Sequence, residues 1–178
     1  MTYEEFEKHM EERFPRMFKG QRYGGFAVGA GWYPIIEALC ANIESHVDWK
    51  REQRARDLRM DRARNKGRDA VLARICKGKP PSMWDEERAD DIMATPPSIT
   101  PYVHRVRVQQ IKEKFGGLRF YYQGGDGNVA GMVRMAESWA DRTCETCGQK
   151  GKQRSGGWVR TLCDEHEAEY QARRTRGE

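Results

Sequence analysis

Apolar and polar positions follow different rhythms along this chain, and each rhythm predicts an element. Tyr3, Phe6, Met10 and Phe14 recur at three- and four-residue intervals, the spacing of one face of an amphipathic helix over residues 2–14. Thr2 precedes them and Glu5 follows three residues later, the pair of a capping box. A second stripe is Ile36, Leu39, Cys40, Ile43 and Val47. It opens at Trp32-Tyr33-Pro34, with proline where a helix's first turn tolerates it, and predicts a core-facing helix.

After Asp48 the stripe fades. Residues 50–69 are a charged run with Leu58 and Met60 as its large apolar residues. Two readings compete, a solvated helical extension and a basic arm for nucleic acid. Asp57, Asp61 and Asp69 interleave with the cations, which favours the solvated helix. Val71, Leu72 and Ile75 suggest a further amphipathic turn or two, broken at Gly78-Lys79-Pro80-Pro81. The acidic stretch Asp85–Asp91 reads as a short helix with Ser82 as its cap, and Pro96, Pro97 and Pro101 make an extended exit.

The rhythm then changes to alternation. Val106 and Val108 alternate with Arg105, Arg107 and Gln109, and Leu118, Phe120 and Tyr122 alternate with Arg119 and Tyr121. Phe115-Gly116-Gly117 supplies the turn between them, so the stretch predicts a β-hairpin with one apolar face. Its other face carries Arg, Lys and Tyr. That face is either simply solvated or a surface for nucleic acid or an acidic protein. Gly124 to Gly127 ends the strand, and a helix is expected from about Asn128 to Arg142. Its stripe of Val129, Met132, Val133, Ala136, Trp139 and Ala140 should cover the hairpin's apolar face. The fold class is therefore α+β: a β-hairpin or small antiparallel sheet covered by helices.

Composition adds a mild basic excess. The 178 residues carry a formal net charge of +5, which permits nucleic-acid binding without demanding it. The excess is uneven. Residues 48–69 hold nine Lys/Arg against five Asp/Glu, residues 101–125 hold five against one, and residues 82–95 hold one against five. Five glycines between Gly20 and Gly31 tempt a phosphate-loop reading, but neither a GK[ST] ending nor GxGxxG is present, so an irregular loop is expected. The acidic start, without an apolar segment, and the lack of a long apolar run lead to the expectation of a cytoplasmic protein. Cys40 and Cys76 sit within apolar helical patterns and read as buried free thiols.

The remaining three cysteines carry the chemistry. Cys144-x2-Cys147 is followed by fifteen residues and then Cys163-x2-His166. Two closely spaced pairs of good ligands let two short turns close a tetrahedron on one cation. Gly148 follows the first pair where the chain must turn. Gly151, Gly156 and Gly157 with Trp158–Leu162 suggest a short hairpin, and Cys163 and His166 would share the first turn of a helix. Knuckle, hairpin and helix in this order resemble a treble-clef zinc finger. With all four positions filled by protein, the site reads as structural Zn2+. Its net charge of about −1, three thiolates against one dication, would be offset by Lys150, Lys152, Arg154 and Arg160.

An HNH-type nuclease, the enzyme alternative, would need a His base on the hairpin. None lies between Cys147 and Cys163, and His9, His46 and His104 lie elsewhere.

The run from Val108 to Tyr122, the Gly124-Gly125-Asp126 turn, Ala136-Glu137, the stretch Arg142–Gly148 and the stretch Gly157–His166 resemble a family of small uncharacterised bacteriophage and prophage proteins. Gly31-Trp32-Tyr33-Pro34-Ile35-Ile36 with Leu39-Cys40 is similar to that family's upstream motif. The resemblance covers about residues 30–47 and 106–167, leaving 48–100 as an insertion. It implies a phage origin and a zinc-bearing α+β fold, and no reaction.

The expected organisation is an α+β core over 1–143 with a charged helical insertion at about 48–100, a zinc module over 144–170 packed on that core, and a frayed tail over 171–178. The expected function is non-enzymatic binding, in a host cytoplasm, of nucleic acid or of a host complex that handles nucleic acid or defends the cell. The contact surface would be Arg105, Arg107, Lys112, Lys114, Arg119 and Tyr121 on the hairpin, with Lys150, Lys152, Arg154 and Arg160 on the module.

Overall fold

The computed structural model describes residues 1–18, 25–155 and 158–177. It is a mixture of helices and small sheets. Packing divides it into two units, one of Met1–Val47 with His104–Glu178 and the other of Asp48–Val103. Among the described residues no helix is long and apolar enough to cross a membrane.

The first unit opens with α1 (Tyr3–Arg13) and α2 (Pro15–Phe18). The Thr2–Glu5 capping box forms as the sequence predicts. Phe6 and Met10 are buried, and Phe6 stacks on Tyr33 with ring centroids 3.9 Å apart. Strand β1 (Phe26–Ala27) and a 3-10 turn over Ala30–Trp32 lead into α3 (Tyr33–Arg64). The predicted stripe Ile36, Leu39, Cys40, Ile43 and Val47 is buried. Residues 33–47 of this helix belong to the first unit and residues 48–64 to the second.

In the second unit α3 continues, followed by α4 (Arg68–Cys76) and α5 (Met83–Ala94). The charged run is thus helical, but its cations are not merely solvated. Arg54 and Arg64 donate to the carbonyls of Thr100 (2.8 Å) and Met93 (3.2 Å). Arg51 donates to Tyr102 Oη and to the Val103 carbonyl, and Arg68 makes a forked contact with Asp90. The backbone N–H of Thr100 donates to Asp57 Oδ2 at 2.8 Å. The apolar content is small: Ala63, Val71 and Ala89 are buried, with Met60, Leu72, Ile75, Ile92 and Met93 packed around them. Cys76, expected to be buried, is half-exposed, because the α4 face it shares has little core to meet.

The first unit resumes with β2 (His104–Lys114), β3 (Gly117–Gly125) and α6 (Gly127–Ala140). The sheet order is β1-β2-β3, with β1 parallel to β2 and β2 antiparallel to β3. An irregularity between Val108 and Gln110 inserts one residue into β2. A strand's faces repeat every two residues, so this bulge swaps the parity of the residues beyond it. It lets Val106, Val108 and Ile111 all be buried while Arg105, Arg107, Lys112 and Lys114 share the other face.

Helix α6 packs on β3 through Val129, Val133, Ala136 and Ala140. Trp139 does not join them as expected, being 66% exposed. It lies beside Met132 and Met135 on a neighbouring stripe, turned away from the sheet. The helix's N-cap Asp126 accepts hydrogen bonds from the backbone of Asn128 and Val129 and pairs with His46 of α3 at 3.0 Å. Burial alone would push the Asp126 carboxyl up. His46 and the two N–H groups outweigh it and hold the carboxyl below its ordinary range.

Last come β4 (Lys152–Arg154), β5 (Arg160–Leu162) and α7 (Asp164–Arg176). The tail expected to fray after Tyr170 is helical to Arg176. Asp164, Glu165 and Glu167 in the first turn and Arg173, Arg174 and Arg176 in the last suit the helix dipole.

Candidate metal centre

Cys144 and Cys147 sit on a tight turn immediately after α6. The Gly148 N–H donates to the Cys144 carbonyl (2.9 Å), and the Cys144 N–H donates to the Gln149 carbonyl (2.8 Å). Gly148 takes φ 78°, a left-handed conformation that a side chain would strain. Cys163 is the N-cap of α7, and His166 lies in its first turn. An i, i+3 pair at a helix start lies on one face, which brings Cys163 Sγ to 3.0 Å from His166 Nδ1.

The two halves meet. Cys147 Sγ is 3.8 Å from Cys163 Sγ, and Cys144 Sγ is 3.7 Å from His166 Nδ1. All four donor atoms lie within 4.8 Å of one another. A tetrahedron with metal–sulfur bonds of about 2.3 Å and metal–nitrogen bonds of about 2.0 Å has S–S edges of about 3.8 Å and S–N edges of about 3.5 Å. The cluster has the donors and the spacing to hold one metal ion. Cys144 is buried and Cys147 is exposed, so the site lies at the surface with one wall in the core. Burial alone would raise the Cys144 thiol. Backbone hydrogen bonds from Cys163, Cys147 and Thr146 outweigh it and lower the pKa to about 7, which favours the thiolate that a metal requires.

That wall is built by residues that carry no ligand signal in the sequence. The Gly31 N–H donates to the Glu145 carbonyl at 2.8 Å, and buried Trp32 donates its indole N–H to the Thr143 carbonyl at 2.8 Å. A Cβ at Gly31 would stand 2.1 Å from the Cys144 oxygen, and one at Gly29 would stand 2.1 Å from the Glu145 oxygen. These two members of the glycine cluster therefore allow backbone to lie against backbone under the cysteine turn. Gly20 and Gly24 lie outside the described residues. The signal in the sequence is Gly29-Ala30-Gly31-Trp32, two glycines just ahead of a large aromatic.

The hairpin tip forms a second support. Thr161 Oγ1 donates to the Gly116 carbonyl at 2.6 Å, Gln153 donates to the Phe115 carbonyl at 2.8 Å, and the Glu145 N–H donates to the Thr161 carbonyl at 2.9 Å. Glu145 is raised above the ordinary carboxylate range, chiefly by burial, with Arg160 acting against the rise.

The predicted contact residues divide in two. Arg107, Lys114 and Tyr121 are exposed on the outer face of β2–β3, and Arg105, Lys112 and Arg119 are half-buried there. Lys112 lies over the Tyr121 ring and Lys114 over the Phe115 ring. Lys150 and Lys152 are exposed on the module. Arg154 is spent internally, donating to the Leu162 carbonyl and to Asp164, and Lys152 stands 3.5 Å from the same carboxylate. Arg160 lies over the Tyr170 ring and 3.8 Å from Glu145. Arg154 and Arg160 thus hold the module together.

Comparison of the chain with protein-family models, with curated proteins and with solved structures returns no match. The chemistry of the site and of the surfaces beside it is the ground for its function.

Proposed function

We propose that this chain is a non-enzymatic, zinc-stabilised protein that binds nucleic acid across the outer face of the β2–β3 hairpin. Three thiolates and an imidazole in tetrahedral spacing suit Zn2+ among common cellular cations. The order of cysteine turn, β4–β5 hairpin and α7 carrying the last two ligands supports a treble-clef-like module. Four protein donors complete the tetrahedron, so the ion's role is structural.

One observation carries the binding reading. The bulge in β2 puts Arg105, Arg107, Lys112 and Lys114 on one face with Arg119 and Tyr121 of β3. The strands' single carboxylate, Glu113, is turned inward and accepts the Gly116 N–H. A strand face with five cations and an exposed aromatic ring suits phosphates and bases. Lys150 and Lys152 add positive charge on the module.

The test is fluorescence anisotropy of the zinc-loaded protein with labelled oligonucleotides over a salt series. Neutralising about five phosphates weakens binding roughly a hundredfold for a single strand and roughly five-hundredfold for a duplex between about 50 and 200 mM salt. A flat response sinks the nucleic-acid reading and leaves a host protein complex as the ligand of this face. The nuclease alternative has little support. His9 pairs with Glu37 and His46 with Asp126, away from the cluster. Metal-dependent cleavage of the oligonucleotides by pure protein would revive it.

A further inference from the structure

The face of α6 turned away from the sheet carries an apolar groove that meets the cysteine turn and the basic surface only at its far end, at Gly148 and Lys150. A cavity of about 540 Å3 lies between α3 and α6, walled by Ile35, Leu39, Met132, Met135 and Trp139. A second, of about 500 Å3, continues past Met135 and Trp139 to Arg142 and Lys150. Met135 is 69% exposed and Trp139 66%. Large apolar side chains left adjacent in water mark an interaction surface more often than chance does.

We propose that this groove docks an amphipathic, acidic helix of a protein partner. Its walls are two helices offering residues at i, i+3, i+4 and i+7: Ile35, Ala38, Leu39 and Asn42 on one side, Met132, Met135, Ala136 and Trp139 on the other. An incoming helix presents its apolar residues at the same spacing, so ridges can enter the groove. The methionines adapt to the side chains that enter, and Trp139 is the residue type that dominates binding energy at such sites. Charge selects the partner. Among the described residues, Arg142 and Lys150 are the charged residues lining the two cavities, and no carboxylate lines either. A nucleic acid would leave the aliphatic walls unpaired. The site does not rest on the nucleic-acid reading and stands or falls separately from it.

The test uses the full-length, zinc-loaded protein and a labelled designed peptide of about 14 residues, roughly four helical turns. Leucine and phenylalanine occupy one face of the peptide and glutamate the other. Two controls accompany it: the same composition scrambled to destroy the face, and a version with lysine for glutamate. The design peptide should saturate the protein at micromolar concentration, with both controls weaker by about tenfold or more. Trp139→Ala and Met135→Glu should each weaken it by about tenfold. Arg142→Glu should weaken the acidic peptide and strengthen the lysine one, a reversal that mere structural damage would not produce. Far-UV circular dichroism and zinc content confirm that each variant is folded. Equal binding of all three peptides, no binding, or indifference to Met135→Glu and Trp139→Ala would overturn the proposal. So would a concentration-dependent dimer dissolved by Trp139→Ala, which would assign the groove to a second copy.

Discussion

The unit formed by residues 48–103 buries Ala63, Val71, Ala89 and Val103, whereas the unit with the Cys144–His166 cluster buries Trp32, Phe6, Phe18, Ile36, Ile43 and Leu118 among many others. The smaller unit makes up for a thin core with arginines. Arg51, Arg54 and Arg64 donate to backbone carbonyls, and Arg68 grips Asp90. The larger unit closes its C-terminal end with four candidate metal ligands, whose cysteine turn is pressed onto the backbone of Gly29 and Gly31. Local charge therefore means different things in the two. Four cations over 48–69, Arg51, Arg54, Arg64 and Arg68, hold the chain, while Arg107, Lys112 and Lys114 lie on the outer face of β2. Composition does not separate these cases; the contacts of each side chain do.

Metal removal should break the comparison most strongly. Chelation withdraws a contribution on the order of 10 kcal/mol from the larger unit. Hydrogen exchange should then rise across residues 141–166 and leave α4 and α5 protected. Next comes Gly31→Ala, which forces a methyl into the Cys144 carbonyl and should cost about 3 kcal/mol, the upper end for overpacking. Urea unfolding would show the loss, with metal affinity falling alongside. Val71→Ala should cost about 2 kcal/mol through lost burial and the cavity left behind. Its signature is loss of protection within 48–103 at unchanged metal content.

The smallest effect is Asp126→Ala, about 1 kcal/mol for the lost helix cap. It depends on pH. The Asp126 carboxyl is held below its unfolded value, so its stabilisation is complete above about pH 4 and is lost as pH falls through the folded pKa. The difference in Tm between wild type and variant should be present at about pH 5 and shrink below about pH 4.

Local patterns are readable because they depend on near neighbours. The Thr2 capping box, the Ile36–Val47 stripe and the hairpin turn at Phe115–Gly117 all form where the periodicity puts them. The ligand pairs are equally plain, since spacing within each pair is local. What stays hidden depends on distant partners. Nothing near Gly31 announces a carbonyl more than a hundred residues away, and Arg54 gives no local sign of its bond to Thr100. The parity change between Arg107 and Lys112 is visible, but it reads as a bulge only once Val106, Val108 and Ile111 are known to be buried together. Trp139 reads as part of the sheet-facing stripe because a helix's apolar faces merge when methionines and a tryptophan adjoin valines and alanines.

Cys144, Cys147, Cys163 and His166 are expected to close on one ion. Titration of metal-free protein with Co2+ tests it directly, because cobalt reports tetrahedral thiolate coordination in its absorption spectrum. The expected result is saturation at one equivalent, strong sulfur-to-metal charge transfer with tetrahedral d–d bands, displacement by Zn2+, and weaker charge transfer in Cys147→Ser. Octahedral spectra, or a Cys147→Ser spectrum identical to wild type, would contradict it.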